Sequence, residues 1–421
     1  MSIFYDFISL VFVLALLPVY LIKGKFHKGF SRRIGFLPRG LDLDRPIWIH
    51  AVSVGEASSV KGLVAQLRKE YPRKKLVIST VTATGNKIAR ALAGEGDFLT
   101  YLPLDFGFIV SRVIKRIKPS LFIIAETEIW PNLIRHLHEN NVPVVTVNGR
   151  ISDKSYSGYR MIKPLIRPVL RLVDFFCVQS ATDADRLCSL GVEKEKVRVT
   201  GNVKFDIELG HETDSSRIRR ELYLVPEDKL WVCGSTHQGE EEIIIEAYAQ
   251  ALKSVPGLKL LIAPRHTERR QKVAAAVSAH SFTPVFISSL GGFCPACAGR
   301  AIFILDIMGE LQSYYSAADA VFVGGSLVKT GGHNIIEPAA RKKPVLFGPH
   351  MFNFRDISRI FLENKAGIMV HDAKSLAFEI KRILGEDLPA RQMAERAYQL
   401  IVANKGATMR NIEVIKGLVK I

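Results

Sequence analysis

The chain has 421 residues, a formal net charge of +17, 48% hydrophobic and 24% charged residues. At roughly 100–200 residues per domain this length suggests two or three domains with ample chain for cores, and the composition excludes disordered, coiled-coil and collagen-like classes. The excess of Lys and Arg over Asp and Glu implies an acidic partner, and five scattered cysteines exclude a disulfide framework and point to a reducing compartment.

The first element is apolar: Phe7 to Ile22 reads FISLVFVLALLPVYLI, without a charge. At ~1.5 Å per residue this run alone is shorter than a ~30 Å hydrocarbon core, but counted from Met1 it can just span, with Asp6 at the far interface. No basic residue precedes it and no small-residue cleavage site follows, which argues against a signal peptide. Lys23, Lys25, Lys28, Arg32, Arg33 and Arg39 follow instead, with no acid before Asp42. The positive-inside rule then places everything after residue 22 on the cytoplasmic side, with the basic residues beside anionic lipid.

From residue 46 onward, β-branched runs alternate with helical stretches. In the first half the runs are 46–51, 75–80, 98–103, 121–126, 142–149, 175–180 and 197–201; in the second they are 230–235, 258–265, 283–288, 301–306, 320–326, 344–349 and 367–370. Apolar runs without alternation are expected of parallel strands covered on both faces. The charged, strandless stretch between Asp206 and Lys229 separates two series, predicting two doubly wound Rossmann-like α/β domains. The boundaries read as an anchor at 1–22, a first domain at 23–207, a linker at 208–228, a second domain at 229–388 and closing helices at 389–421.

In such sheets ligands bind beyond the carboxyl ends of the strands, and here those loops are polar. The first strand leads into His50-Ala51-Val52-Ser53-Val54-Gly55-Glu56, with Ser58 a candidate N-cap for a helix through Arg68. Glu56 near a helix N-terminus is either a proton acceptor or a capping carboxylate. The fourth strand delivers Glu126 and Glu128, on one side of an extended backbone, before a helix opening near Trp130-Pro131. The fifth delivers Asn148-Gly149-Arg150. Beyond it Arg160, Lys163, Arg167 and Arg171 recur at helical spacing among apolar residues, broken by Pro164 and Pro168. This segment suits a membrane surface or phosphorylated lipid, or is a solvated face.

In the second half Gly234-Ser235-Thr236-His237 closes a strand ahead of a helix, which suits a phosphate. Arg265 stands at another strand end, able to fork onto a phosphate, and Met308-Gly309-Glu310 opens a helix. The strongest signal runs from Gly324 to Pro338. Its glycines, Gly325 and Gly332 among them, offer backbone N–H groups around Ser326 to an anion, and Glu337 lies one helical turn beyond His333 and Asn334 on the same face, placed for a diol. It is neither a P-loop nor a G-x-G-x-x-G fingerprint. Cys294 and Cys297 lack a second ligand pair and read as a surface loop; no metal signature is present.

Taken together, HAVSVGE (50–56), ETEIWPNL (126–133), NGRISDKS (148–155), GSTHQGEE (234–241), PRHTER (264–269), MGEL (308–311), GGSLVKTGGHNIIEPA (324–339) and FGPHMFNF (347–354) resemble the 3-deoxy-D-manno-oct-2-ulosonic acid (Kdo) transferases of lipopolysaccharide biosynthesis. Gly149 and Lys329 depart from the family's usual Ala and Pro. The resemblance implies a GT-B glycosyltransferase fold that needs no metal or cofactor. The second domain would bind the donor CMP-Kdo, through Ser235, Thr236, His237, Arg265, Met308, Gly309, Glu310, Gly325, Ser326, Gly332, His333, Asn334 and Glu337. The first would bind a lipid A precursor (lipid IVA) through Glu128, Arg150, Arg160 and Arg167, with Glu56 and Glu126 catalytic and transfer proceeding with inversion. The closing helices would cross back to the first domain. The nearest competing reading is a membrane-associated GT-B enzyme with another nucleotide sugar. A nucleic-acid-binding module would need a basic strip with stacking aromatics, which is missing, and a non-catalytic membrane scaffold would leave the carboxylates unused.

Overall fold

A computed structural model describes residues 5–6, 29–126, 128–207, 209, 215–290, 300–385 and 387–419. The apolar run Phe7–Ile22, the Cys294–Cys297 tract and part of the stretch read as a linker lie outside the described residues. The chain forms two compact units, residues 1–206 with 404–421 and residues 207–403.

All fourteen apolar runs are strands. The first unit contains β1 (Ile47–His50), β2 (Leu76–Thr80), β3 (Phe98–Tyr101), β4 (Leu121–Ala125), β5 (Val144–Gly149), β6 (Phe175–Val178) and β7 (Val197–Val199). They form one sheet in the order β3-β2-β1-β4-β5-β6-β7, parallel throughout. The second contains β8 (Lys229–Thr236), β9 (Leu258–Pro264), β10 (Thr283–Phe286), β11 (Ala301–Ile304), β12 (Ala320–Val323), β13 (Val345–Phe347) and β14 (Ile368–Met369). Its order is β10-β11-β9-β8-β12-β13-β14, again all parallel. In the first sheet the strand order reverses between β1 and β4, in the second between β8 and β12. At such a reversal adjacent loops diverge and leave a crevice at the carboxyl ends, so both crevices have defined walls.

Helices cover both faces, and β1, β2, β4, β11, β12 and β13 are buried along their full length. Trp48, Phe122, Ile124 and Val144 pack on one face of the first sheet. On the other, Ile47, Ile49, Leu76 and Val145 meet Ile412, Ile415 and Val419, so the helix Ala407–Lys416 completes the first unit's core. Asp206 caps that helix by accepting from the amides of Gly406, Ala407 and Thr408. The helix Ser215–Glu221, inside the stretch read as a linker, belongs to the second unit, where Arg219 pairs with Asp319.

Among the described residues no helix is long and apolar enough to cross a membrane. Asp6 does not stand at a far interface. Its carboxylate accepts from Asn132 Nδ2 at 2.6 Å and from the Gly107 amide at 3.3 Å, both in the first unit.

Some loops leave no room for a side chain. A Cβ on Gly348, just past β13, would lie 2.3 Å from the Ser326 carbonyl oxygen, a backbone atom that cannot swing away. Gly348→Ala is therefore expected to destabilise the second unit by about 1–3 kcal/mol, seen as a lowered Tm by circular dichroism; an unchanged Tm would mean that the loop yields freely.

Candidate functional site

The crevice of the first unit is acidic. Ser53, not Ser58, is the N-cap of the helix Val54–Ser59, and a second helix, Lys61–Glu70, follows. Glu56 folds back onto the helix start: Oε2 accepts from the Val52 amide at 2.7 Å and Oε1 from Ser53 Oγ at 3.0 Å. It caps, then, but it is not an ordinary cap. Burial pushes its pKa up to about 7, and the charges of Glu126 and Glu128 push the same way against its hydrogen bonds.

Glu126 has φ 59, so the backbone is left-handed rather than extended where β4 ends. It nevertheless shares a site with Glu56: Glu56, Glu126, Glu128, Arg150, Ser152 and Ser155 line one open pocket of about 210 Å³. Burial raises the pKa of Glu126, opposed by Lys204 and Arg150. Burial and the Glu126 charge raise that of Glu128. Asn148 is spent on the fold: its Oδ1 accepts from the Val203 amide at 3.1 Å and its carbonyl from Gln179.

Arg160 and Arg167 do not line this pocket. The basic segment forms two helices, Asp153–Met161 and Lys163–Leu170, with Pro164 in the first turn of the second. Ile166, Val169 and Leu170 face the core, while Met161, Ile162 and Leu165 are exposed among the basic residues. Arg167 lies over Gly191, where an added Cβ would come within 2.7 Å of its Nε.

The crevice of the second unit is built differently. Glu240, fully buried, accepts four backbone N–H groups: His237 (2.9 Å) and Gly325 (2.7 Å) at Oε2, Ser326 (2.9 Å) and Leu327 (2.9 Å) at Oε1. The glycine loop's amides thus face an internal carboxylate, which corrects the expectation that they await a ligand's anion. Thr236 is likewise committed: it is buried and donates to Glu241 Oε1 at 3.1 Å, the carboxylate that pairs with Arg269. A Cβ on Gly332 would meet Met351 Sδ at 2.2 Å, so this glycine serves packing.

Freed from anchoring, other side chains converge. His237 Nε2 and His333 Nε2 lie 2.8 Å apart with near-parallel rings, and His266 stands edge-on to His237. Burial, helped by the Arg265 charge, lowers the His333 pKa to about 4. The helix Ile336–Ala339 begins after His333 and Asn334, so no helical turn relates them to Glu337; Asn334 Nδ2 instead donates to Glu337 Oε1 at 3.1 Å. Burial raises the Glu337 pKa against the Asn334 bond and the Arg341 and Arg265 charges. Ser235, half-buried with φ 58, sits at the irregularity between Gly234 and Thr236 near the end of β8, and Met308, Gly309 and Glu310 form an exposed turn ahead of the helix Leu311–Ala317. Among the described residues no cluster of His, Cys, Asp and Glu could hold a metal.

Residues 28–207 match the family model described as 3-Deoxy-D-manno-octulosonic-acid transferase (kdotransferase). The curated 3-deoxy-D-manno-octulosonic acid transferase of Haemophilus influenzae is 35% identical over 405 residues, covering 93% of this chain and 92% of its own. The chain belongs to this family. It is a glycosyltransferase. The Bordetella pertussis protein of the same name is 32% identical, with 89% and 87% covered. In structure the chain is similar to a putative UDP-N-acetylglucosamine 2-epimerase from Listeria monocytogenes, with TM-score 0.58 at 15% identity and 88% and 96% of the two chains covered. That likeness concerns fold alone.

Sequence reasoning missed Glu240, whose signal was its position three residues after His237 at a helix start, the spacing of a capping carboxylate. Glu240→Gln puts an amide NH₂ against backbone donors and is expected to cost about 1–3 kcal/mol, with a lowered Tm. Glu242→Gln, on the exposed side of the same helix, should leave Tm unchanged.

Proposed function

We propose that this glycosyltransferase moves Kdo from CMP-Kdo to a hydroxyl of a lipid A precursor, with inversion, at the inner membrane. The observation that carries the proposal is the pairing of each sheet's reversal with one kind of chemistry. In the first unit it is a carboxylate pocket centred on Glu56; in the second it is an imidazole and guanidinium cluster fit for a phosphate. The names of the relatives agree with this reading.

Glu56 is the general base. Its two hydrogen bonds fix the carboxylate, while burial leaves it basic enough to take the acceptor hydroxyl's proton near neutral pH. The acceptor oxygen then bonds to the anomeric carbon as the bond to the CMP phosphate breaks, its electrons leaving with CMP. Arg265 and the histidines offset that charge, and Ser235, Asn334, Glu337 and the Met308–Glu310 turn complete the donor site. Gly325, Ser326 and Gly332 shape this site through their backbone. Glu126 is the second catalytic carboxylate, beside Glu56, and Glu128 and Arg150 orient the acceptor.

The surface of the first unit suits an anionic lipid phase. Met161, Ile162 and Leu165 stand among Arg160, Lys163 and Arg167, and exposed Phe36 and Phe108 flank Arg112, Lys115 and Arg116 in an open groove. Asp6 and the Phe30–Arg33 helix both lie on this unit.

Mass spectrometry of products from purified protein, CMP-Kdo and a tetraacyl lipid A precursor tests the reading. Release of UDP from another sugar nucleotide, with none of CMP, would favour the competing enzyme. Glu56→Gln is expected to lower kcat by ~10²–10⁴-fold; retention of a tenth of the rate would remove Glu56 as base. Wild-type kcat/KM should rise with pH through about 7, because the protonated carboxyl cannot accept the proton. Folding favours neutral Glu56, since its native pKa lies above the unfolded value and its contribution fades as pH rises through about 7. The Gln variant should therefore keep its Tm.

For the acceptor side, Arg160→Gln with Arg167→Gln should raise KM for the lipid acceptor, leave KM for CMP-Kdo unchanged, and lose its effect in high salt, where exposed charges are screened over less than ~8 Å. Normal acceptor kinetics at low salt would take these helices off the binding surface.

A further inference from the structure

The His237–His333 contact has a chemical capacity that the donor reading does not use. With Nε2 atoms 2.8 Å apart, a single hydrogen lies between the rings. In the neutral pair one ring carries its proton on Nε2 and donates; the other accepts and carries its own on Nδ1. One further proton fits on the donor's Nδ1, leaving the shared hydrogen in place and making the bond charge-assisted. A second would put hydrogens on both Nε2 atoms and break the contact. The pair therefore holds one extra proton, and no more.

The structure prevents the rings from drifting apart. The His237 amide is bonded to Glu240, and so are the Gly325, Ser326 and Leu327 amides of the loop that leads to His333. Gly325, at φ 67, leaves the space that the His333 ring occupies: a Cβ there would lie 2.9 Å from His333 Cδ2.

The charges around the pair leave it one anion short. Arg265, His266 and Arg269 oppose protonation, and Glu240 and Glu241 favour it. Glu240 already serves four amides, and Glu241 is engaged by Arg269 and Thr236. Burial therefore prevails, and both rings are held below the ordinary histidine range. A phosphate brought among Arg265 and the two histidines supplies the missing negative charge.

We propose that the His237–His333 pair takes up one proton together with the phosphate of the bound nucleotide and releases it when the nucleotide leaves. This rests on the reading that the second unit binds CMP-Kdo. Transfer turns a phosphodiester monoanion into a phosphomonoester dianion, so the proton matters most to departing CMP. It offsets charge at the leaving group without being transferred to it.

Calorimetric titration with CMP at pH 7, in two buffers of low and high ionisation enthalpy, counts the protons exchanged. The expected result is uptake of roughly half a proton or more per CMP bound. CMP itself, with a second pKa of about 6, contributes a small release of opposite sign. His333→Gln and His237→Gln should each abolish the uptake and flatten the pH dependence of CMP affinity, whereas His280→Gln, at an exposed histidine that ends the helix Arg270–Ala279, should keep both. Binding enthalpies equal in both buffers for the wild type, or uptake that survives in His333→Gln, would overturn the pair's role and leave the donor reading standing. Failure of CMP to bind at millimolar concentration would overturn both.

Discussion

A parallel strand hands its chain to a loop whose first amides have no sheet partner, and a helix that follows adds several more. In this protein buried carboxylates take them. Glu240 collects four, Asp105 accepts from Asn132 and Leu133 at the start of the helix Pro131–Glu139, and Asp183 accepts from Ile151 just past β5. Charged acceptors make such bonds short and strong, and their burial excludes competing water. The loops that carry the candidate residues are therefore held by their own acidic side chains and need no ligand to order them.

The two crevices use the same architecture for opposite electrostatics. In the first, three carboxylates share a small pocket, and burial drives all three toward their neutral forms. Such a pocket is poised to receive a proton. In the second, Glu240 is spent on amides and Glu241 on Arg269, and beside them stand imidazole and guanidinium. Such a cluster is poised to receive an anion.

Strands were legible in the sequence because a buried parallel strand needs an uninterrupted apolar run, and fourteen such runs stand between polar helices. Strand order was not legible, since the reversals between β1 and β4 and between β8 and β12 arise from crossovers that leave no local mark. The glycine loop shows the limit most clearly. Gly324 to Gly332 advertises free amides, but the sequence cannot say which anion fills them, and the answer was a glutamate some 85 residues earlier. Glu126 shows a different failure: period-two reasoning put it beside Glu128 on an extended chain, whereas the residue after β4 is left-handed and the two carboxylates line one pocket all the same. Glu56 allowed two readings, cap and acid, and the structure bears out the first while its burial gives weight to the second.

The helix Ala407–Lys416 has a consequence for how the protein is made. Ile412 and Ile415 close a core whose other members, Ile47, Ile49 and Val145, leave the ribosome hundreds of residues earlier. Throughout synthesis of the second unit, the part of that core closed by Ile412, Ile415 and Val419 waits open beside the helices Val54–Ser59 and Lys61–Glu70, an apolar surface of the sort that sticks to its neighbours in a crowded cell. The second unit, contiguous from residue 207 to 403, carries no such debt. The order of maturation is thus inverted: the unit translated first completes its core only once the helix Ala407–Lys416 has been made.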